Sequence, residues 1–203
     1  MIAIKYVCCG CNQLPHASDW GNNNLICYAS NFAIIIFDPH INRFGSVLST
    51  LCRHKDRVNV VRWIRNFSST LETEMISASA DGTAVIWKAN VLKKNGSFQA
   101  LDVLETNASI TLCDATYVSK NSTDLLITTY NTKGLLSIWL RRNGITKVKQ
   151  KLYFFNKIVT EMKLSILPTG SDVFTSLLIV AMQDCKIYLY SSNHNNSQVS
   201  FKK

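Results

Sequence analysis

The chain has 203 residues, 47% of them hydrophobic and 17% charged, and carries a net charge of +9 at neutral pH. That composition is globular, and no apolar run approaches the roughly 18 residues that a membrane-spanning helix requires. With only eight glycines, no phosphate-cradling loop and no cofactor fingerprint, the chain offers no recognisable nucleotide or cofactor chemistry, and no cofactor is expected.

At the N-terminus, MIAIKYVCCGC is apolar only briefly, is broken by Lys5 and lacks the small-residue cleavage pattern of a secretory signal. The seven cysteines are an odd number, and Cys27, Cys113 and Cys185 sit in or beside apolar runs. They read as buried or free thiols rather than a disulfide framework, and a soluble intracellular protein is expected. Cys8, Cys9 and Cys11 together with His16 would make a four-ligand metal set. A zinc site favours paired spacing, however, and no second pair follows, so free thiols are expected and no metal is assigned.

From residue 25 onward a hydrophobic stretch closing on an aromatic recurs. The copies are LICYASNFAIIIF (25–37), EMISASADGTAVIW (74–87), LLITTYNTKGLLSIW (125–139) and LLIVAMQDCKIYLY (177–190), and the closing residues Phe37, Trp87, Trp139 and Tyr190 lie 50, 52 and 51 apart. Six residues before each aromatic stands a polar residue, Asn31, Asp81, Lys133 or Asp184. Each copy reads as four short strands. The first gives HASDW, LICYAS, AIIIF and SVLSTL, and the second VNVVRWI, EMISAS, AVIWK and SFQALDV. ITLCDATYV, LLITTY, LLSIWL and KVKQKLY follow in the third, and IVTEMKLSI, FTSLLIVAM, KIYLYS and QVSFK in the fourth. The runs are rich in Val, Ile, Thr, Tyr and Phe and too closely punctuated for helices. Four-stranded units at this period predict an all-β WD-repeat β-propeller with blades at about 10–53, 54–107, 108–157 and 158–203. The whole of 1–203 reads as a partial propeller whose open blade face would expose apolar surface, with the N-terminal run IAIKYVC a candidate strand for a closing blade.

In the second copy His54 opens the unit, Ser77 sits mid-strand, Asp81 stands in the turn and Trp87 closes the next strand. These residues resemble the WD-repeat motif, which implies a buried hydrogen-bond chain tying the blade together. Each donor then meets an acceptor, and a broken chain is costly. The same residue types spell a hydrolase triad. Ser77, flanked by Ile76 and Ala78 inside a strand, lacks the Gly-x-Ser-x-Gly elbow, and no oxyanion donors are evident, so no catalytic residue is assigned and an enzyme is not expected. The third copy has Lys133 for the turn Asp and only the hydroxyls of Thr128 and Thr129, and the fourth closes on Tyr190.

The charge is uneven, since residues 108–157 hold eight Lys or Arg against Asp114 and Asp124. Lys147, Lys149 and Lys151 alternate along the outermost strand expected for the third blade and should project on one face. They are candidate contacts to an RNA backbone. The competing reading is edge protection, because lysines discourage outer strands from pairing edge to edge and no aromatic platform for bases accompanies them.

Two segments narrow the family. GCNQLPHASDWGNNNLICYASNFAIIIFDP (10–39) and TLCRHKDRVNVVRWI (50–64) carry Cys11-Asn12, Trp20-Gly21, Phe37-Asp38-Pro39 and a His54-to-Trp63 element. Over residues 10–90 the chain resembles the Elongator complex protein 2 family, the WD-repeat subunits of Elongator; beyond that the agreement is in length and strand order. The resemblance implies a non-catalytic scaffold of two seven-bladed propellers that holds the large scaffold subunit and the catalytic radical-SAM/acetyltransferase subunit of a complex modifying the 5-position of tRNA wobble uridine. It implies a cytoplasmic and also nuclear setting, tRNA met indirectly or weakly, and no membrane. The alternatives are a WD-repeat adaptor of another complex, such as one recruiting a ubiquitin ligase, and a propeller that binds RNA through its basic blade.

Overall fold

The structure is a computed structural model that describes residues 10–65, 72–90, 97–119, 122–168, 174–193 and 200–202. Among the described residues it is all β, in four antiparallel sheets. The first blade is β1 (Ser18–Trp20), β2 (Ile26–Ser30), β3 (Ala33–Asp38) and β4 (Ser46–Cys52). The second is β5 (Val58–Trp63), β6 (Glu74–Ser79), β7 (Thr83–Ala89) and β8 (Phe98–Glu105). The third is β9 (Ile110–Tyr117), β10 (Leu125–Asn131), β11 (Leu135–Arg142) and β12 (Ile145–Tyr153). The fourth has β13 (Val159–Pro168), β14 (Phe174–Met182) and β15 (Ile187–Asn193), and Lys202 bridges Ser191 at its outer edge. Every sheet is a meander with strands in chain order, as the repeat predicts. Of the strand expected at QVSFK, residues 198 and 199 lie outside the described residues, as do Cys8, Cys9 and the N-terminal run. No helix among the described residues is long and apolar enough to cross a membrane.

The central hairpins explain the turn chemistry of the repeat. In the last three blades Ala78 pairs with Ala84, Tyr130 with Leu136 and Ala181 with Ile187, so five residues separate each pair. The bend falls on a residue of positive φ five positions before the closing aromatic: Gly82 (84°), Gly134 (73°) and Cys185 (62°). Glycine takes that conformation without a Cβ clash. The first blade pairs Ser30 with Ala33 across only two residues, and Asn31 itself takes φ 55°. The polar residue that recurs six before the aromatic thus has a different place in the first turn. A second shared feature was invisible in the sequence. In each complete blade the outer pairing shifts register at the closing aromatic, between Ile36 and Phe37, Ile86 and Trp87, and Ile138 and Trp139. The extra residue of each bulge is Leu48, Leu101 or Lys149.

The core lies between blades rather than within them. Ile34, Ile36 and Leu51 of the first blade pack with Val58, Met75 and Val85 of the second; Ile76 and Ile86 meet Ile110 and Ile127; Leu126 and Ile138 meet Leu164 and Val180. Because each strand alternates faces, one sheet supplies apolar residues to both seams, and these runs are correspondingly apolar throughout. The far face of the fourth blade shows what an uncovered seam looks like. Ile179 and Leu189 pair across β14 and β15 there, and Leu189 and Ile187 are 53% and 71% exposed. The open apolar face expected from the sequence is present on this blade.

Polar side chains cross the seams near the first strands. Asn12 donates to the carbonyls of Asn31 and Val58, each at 2.8 Å, and accepts from Asn31 N at 2.7 Å. Asp19 accepts from Trp63 N at 2.8 Å and pairs with Arg65 at 3.1 Å. Asn59 donates to Ile110 O at 2.7 Å, and Asp114 accepts from Leu164 N at 2.9 Å while pairing with Lys163 at 3.3 Å. Each seam therefore combines an apolar layer with a directional bond that fixes how one blade sits on the next.

Candidate functional site

The second blade brings His54, Ser77, Asp81 and Trp87 together as a buried chain. Trp87 Nε1 donates to Ser77 Oγ at 2.8 Å, and Ser77 Oγ lies 2.7 Å from His54 Nε2. On the other side of the ring, His54 Nδ1 lies 3.0 Å from Thr83 Oγ1 and 3.4 Å from Asp81 Oδ2. Thr83 donates its hydroxyl to Asp81 Oδ1 at 2.6 Å and its backbone N–H to the same oxygen at 2.8 Å, and Lys55 N donates to Asp81 Oδ2 at 2.8 Å. One proton arrangement satisfies all of these. Trp87 donates to Ser77, Ser77 to His54 Nε2, His54 Nδ1–H to Thr83, and Thr83 to Asp81, which makes the imidazole neutral. Thr83 is a fifth member that the sequence reading did not single out. The motif pattern names His, Ser, Asp and Trp, and only the hairpin geometry carries the Thr hydroxyl into the gap between ring and carboxylate.

The electrostatics follow from that enclosure. Burial holds His54 below its ordinary value against the opposing pull of Asp81. Burial pushes the Asp81 carboxyl upward, but the Thr83 hydroxyl and the Lys55 and Thr83 backbone N–H groups outweigh it, with His54 assisting, so the net shift is down. Ser77 is 0% exposed with its hydroxyl committed to the Trp87 and His54 rings, so no substrate reaches it. This arrangement does not perform triad chemistry; it joins the loop before β5 to β6, the turn and β7.

The third blade keeps half of it. Trp139 Nε1 donates to Thr129 Oγ1 at 3.0 Å, repeating the Trp87 bond, while Thr128 turns to the Asp114 carbonyl at 3.4 Å. Asn131 Oδ1 accepts from Lys133 N at 3.1 Å and Leu135 N at 3.2 Å, taking over the turn-holding role of Asp81 from two positions earlier in the chain. Thr106 bonds the Gly82 and Ala108 carbonyls at 3.0 and 2.7 Å. In the fourth blade Asp184 is exposed and pairs with Lys186 at 2.9 Å.

The lysine series departs from expectation. Lys147 pairs with Leu140 and Lys151 with Ser137, but Trp139 pairs with Val148 and Ile138 with Gln150, so Lys149 is the bulge residue. The bulge breaks the alternation. Lys147 and Lys149 line a shallow pocket with Leu140 and Arg142, on the side of the fourth blade, whereas Lys151 lines a different groove with Trp139 and Ser137, on the side of the second. The three lysines therefore do not share one face, because the register shift inserts a residue between them.

Of the cysteine set, Cys8 and Cys9 lie outside the described residues, and Cys11 and His16 are placed as follows. His16 accepts from Arg62 Nη2 at 2.9 Å on Nδ1 and meets Glu161 at 3.3 Å through Nε2, which commits both ring nitrogens. Burial, with Arg62 and Lys163 adding to it against Glu161, keeps His16 below its ordinary value. Cys11 is exposed, with its Sγ near the Asn12 and Ala17 carbonyls. No group of three or more potential metal ligands occurs among the described residues. Sequence reasoning also missed Glu72, which is buried and accepts from Asn22 N at 2.6 Å and Arg65 at 2.9 Å. A Cβ on Gly21 would lie 2.7 Å from the Glu72 carboxylate and 2.3 Å from Asn23 Oδ1, which accounts for the Trp20-Gly21 turn.

No family model matches the chain. Its curated relatives share one name. It is 26% identical over 185 residues to Elongator complex protein 2 of Danio rerio, covering 91% of this chain and 21% of the relative. The Dictyostelium discoideum protein of that name is 27% identical over 221 residues, covering 98% and 24%, and the Arabidopsis thaliana protein is 22% identical over 208 residues, covering 96% and 24%. The chain thus spans about a fifth to a quarter of the length of these relatives. Among solved structures, Sqt1 of Saccharomyces cerevisiae superposes with a TM-score of 0.61 at 13% identity, over 88% of this chain and 45% of that one. That likeness concerns the fold, a WD-repeat propeller of stacked four-stranded blades.

Proposed function

We propose that this chain, similar along nearly its whole length to Elongator complex protein 2, works as a non-catalytic scaffold in the Elongator complex. The observation that carries the reading is the consistent likeness to relatives of that name. The commitment of the buried polar groups to holding blades in place suits a rigid platform. In this role the chain supports modification of tRNA wobble uridine at its 5-position by binding the large scaffold subunit and the radical-SAM/acetyltransferase subunit, in the cytoplasm and secondarily the nucleus. Affinity purification of the tagged chain followed by mass spectrometry tests it. Recovery of those two subunits is expected; their absence beside other, unrelated proteins would replace the reading with that of an adaptor in a different complex.

A second reading is RNA binding by the third blade. It is favoured by the surplus of positive charge there and by the exposure of Lys147, Lys149 and Lys151. The division of those lysines between two faces moves the question from the series as a whole to the separate surfaces.

A further inference from the structure

The second and third blades carry equivalent grooves, each on the side facing the preceding blade. In the second blade the groove is about 540 Å³, and its charged walls are Arg53, Lys55, Asp81 and Glu105, two of each sign. The third-blade groove is about 530 Å³, with Lys133, Lys151, Trp139, Tyr153 and Phe155 on its walls and Glu105 on the second-blade side. The strand registers show which residues changed places. Val103 and Glu105 pair with Val85 and Thr83 in the second blade, while Lys151 and Tyr153 pair with Ser137 and Leu135 in the third. Lys133 stands at the turn position of Asp81. On this wall an apolar residue and two carboxylates have thus given way to two lysines and an aromatic ring, while on the opposite wall Arg53 and Lys55 give way to Glu105 and Asn107, so Lys133 and Lys151 face one carboxylate.

That ring is part of a platform. Tyr153 and Phe155 stack with centroids 5.3 Å apart and planes 6° from parallel, and they are 56% and 73% exposed. Exposed aromatics stacked on each other beside lysines differ from edge protection, which needs charge but no ring. The structure also supplies what the linear sequence lacked, an aromatic surface in the same groove as Lys151.

We infer that this groove binds a short stretch of single-stranded polynucleotide, with Phe155 extending the stack onto a base and Lys133 and Lys151 meeting backbone phosphates. Bases of any identity present a π-face, so the site is tolerant of sequence. The inference deepens the nucleic-acid reading of the third blade and does not depend on complex membership. Lys147 and Lys149 open on the other side of the sheet and take no part.

The test is fluorescence anisotropy of a labelled oligo-uridine eight-mer with the full chain at low salt, repeated with oligo-deoxythymidine to distinguish RNA from DNA. Phe155→Leu, which keeps an exposed apolar side chain but removes the ring, should weaken binding by about tenfold, as base–aromatic stacking implies. Lys133→Gln with Lys151→Gln should do at least as much, and should lower the slope of log affinity against log salt by about 1.4 for two phosphate contacts. Lys147→Gln with Lys149→Gln should leave affinity within about threefold, and circular dichroism should show all variants folded. Absence of binding, an unchanged affinity in Phe155→Leu, or an equal loss in the Lys147 and Lys149 variant would overturn the inference. Displacement of the oligonucleotide by poly-glutamate at equal charge concentration would overturn it in favour of an acidic protein partner. Recovery of Elongator subunits is scored separately with the same variants, so failure at the groove is distinguishable from failure of the scaffold reading.

Discussion

The second and third blades share a backbone plan and differ in how they fill it. Both close on a Trp whose indole bonds a hydroxyl in the neighbouring strand, at 2.8 Å to Ser77 and 3.0 Å to Thr129. Only the second continues that bond through His54 and Thr83 to Asp81. The third meets the same turn with Asn131 and forms an equally complete sheet. The comparison separates folding from stiffening. Apolar seams on both faces are enough to make a blade, and the long polar chain adds directional restraint where it occurs.

The largest effect expected from this contrast is at the hydroxyls. Ser77→Ala removes only the hydroxyl and strands Trp87 Nε1 and His54 Nε2 in a fully buried site, and should cost about 3 kcal/mol. Thr129→Val strands one partly exposed indole and should cost about 1 kcal/mol. Urea denaturation of the two variants checks this, and equal losses would mean that the second-blade chain contributes no more than a single bond.

Acid should sharpen the same difference. The folded state holds His54 below 6.5, so the neutral ring favours folding. That contribution is complete above the unfolded value and is lost as pH falls from about 6.5 through the lowered folded value. Asp81, also lowered, extends the loss to more acidic solution below 3.8. Hydrogen exchange at pH 7 and pH 5 should therefore show β6 and β7 losing protection faster than β10 and β11. His54→Gln should remove part of the pH dependence and leave the share belonging to His16. An equal response in the two blades would place the acid sensitivity elsewhere.

The smallest effect is a transplant. Thr106→His, Leu135→Thr and Lys133→Asp together would place the missing members of the chain beside Thr129 and Trp139. A gain below about 1 kcal/mol is expected, since the turn already has Asn131 and the new ring must be desolvated. Thermal melts measure it. A marked loss would show that the third groove is shaped against the imidazole.

Much of the fold was legible in the chain because its signals are local and repeated. Closing aromatics at a fixed period and apolar runs of strand length place β6 at Glu74–Ser79 and β14 at Phe174–Met182, as read from the sequence. The tetrad was legible for the same reason, since the motif records residue types at set offsets along one blade. The lysines were misread because alternation counts residues along a strand. A bulge at Lys149 changes the count without changing the composition, and nothing local marks it. Thr83, Asn131 and Glu72 escaped notice because Ser, Thr, Asn and Glu are ordinary on surfaces. Their importance comes from what is folded against them.

Sequence by itself determined the blade: four strands, the hairpin turns, the closing ring and the apolar faces, all consequences of residue spacing within about fifty positions. Tertiary structure decided everything that passes between blades. It set Asn12 on Val58, Asp19 on Trp63, Asn59 on Ile110 and Asp114 on Leu164, contacts made 44 to 51 residues apart. It also brought Lys133, Lys151, Tyr153 and Phe155 to one groove and turned Lys147 and Lys149 away from it. The physical reason is that a strand's spacing dictates which of its residues share a face, whereas the neighbour that face meets is chosen only when the sheets stack.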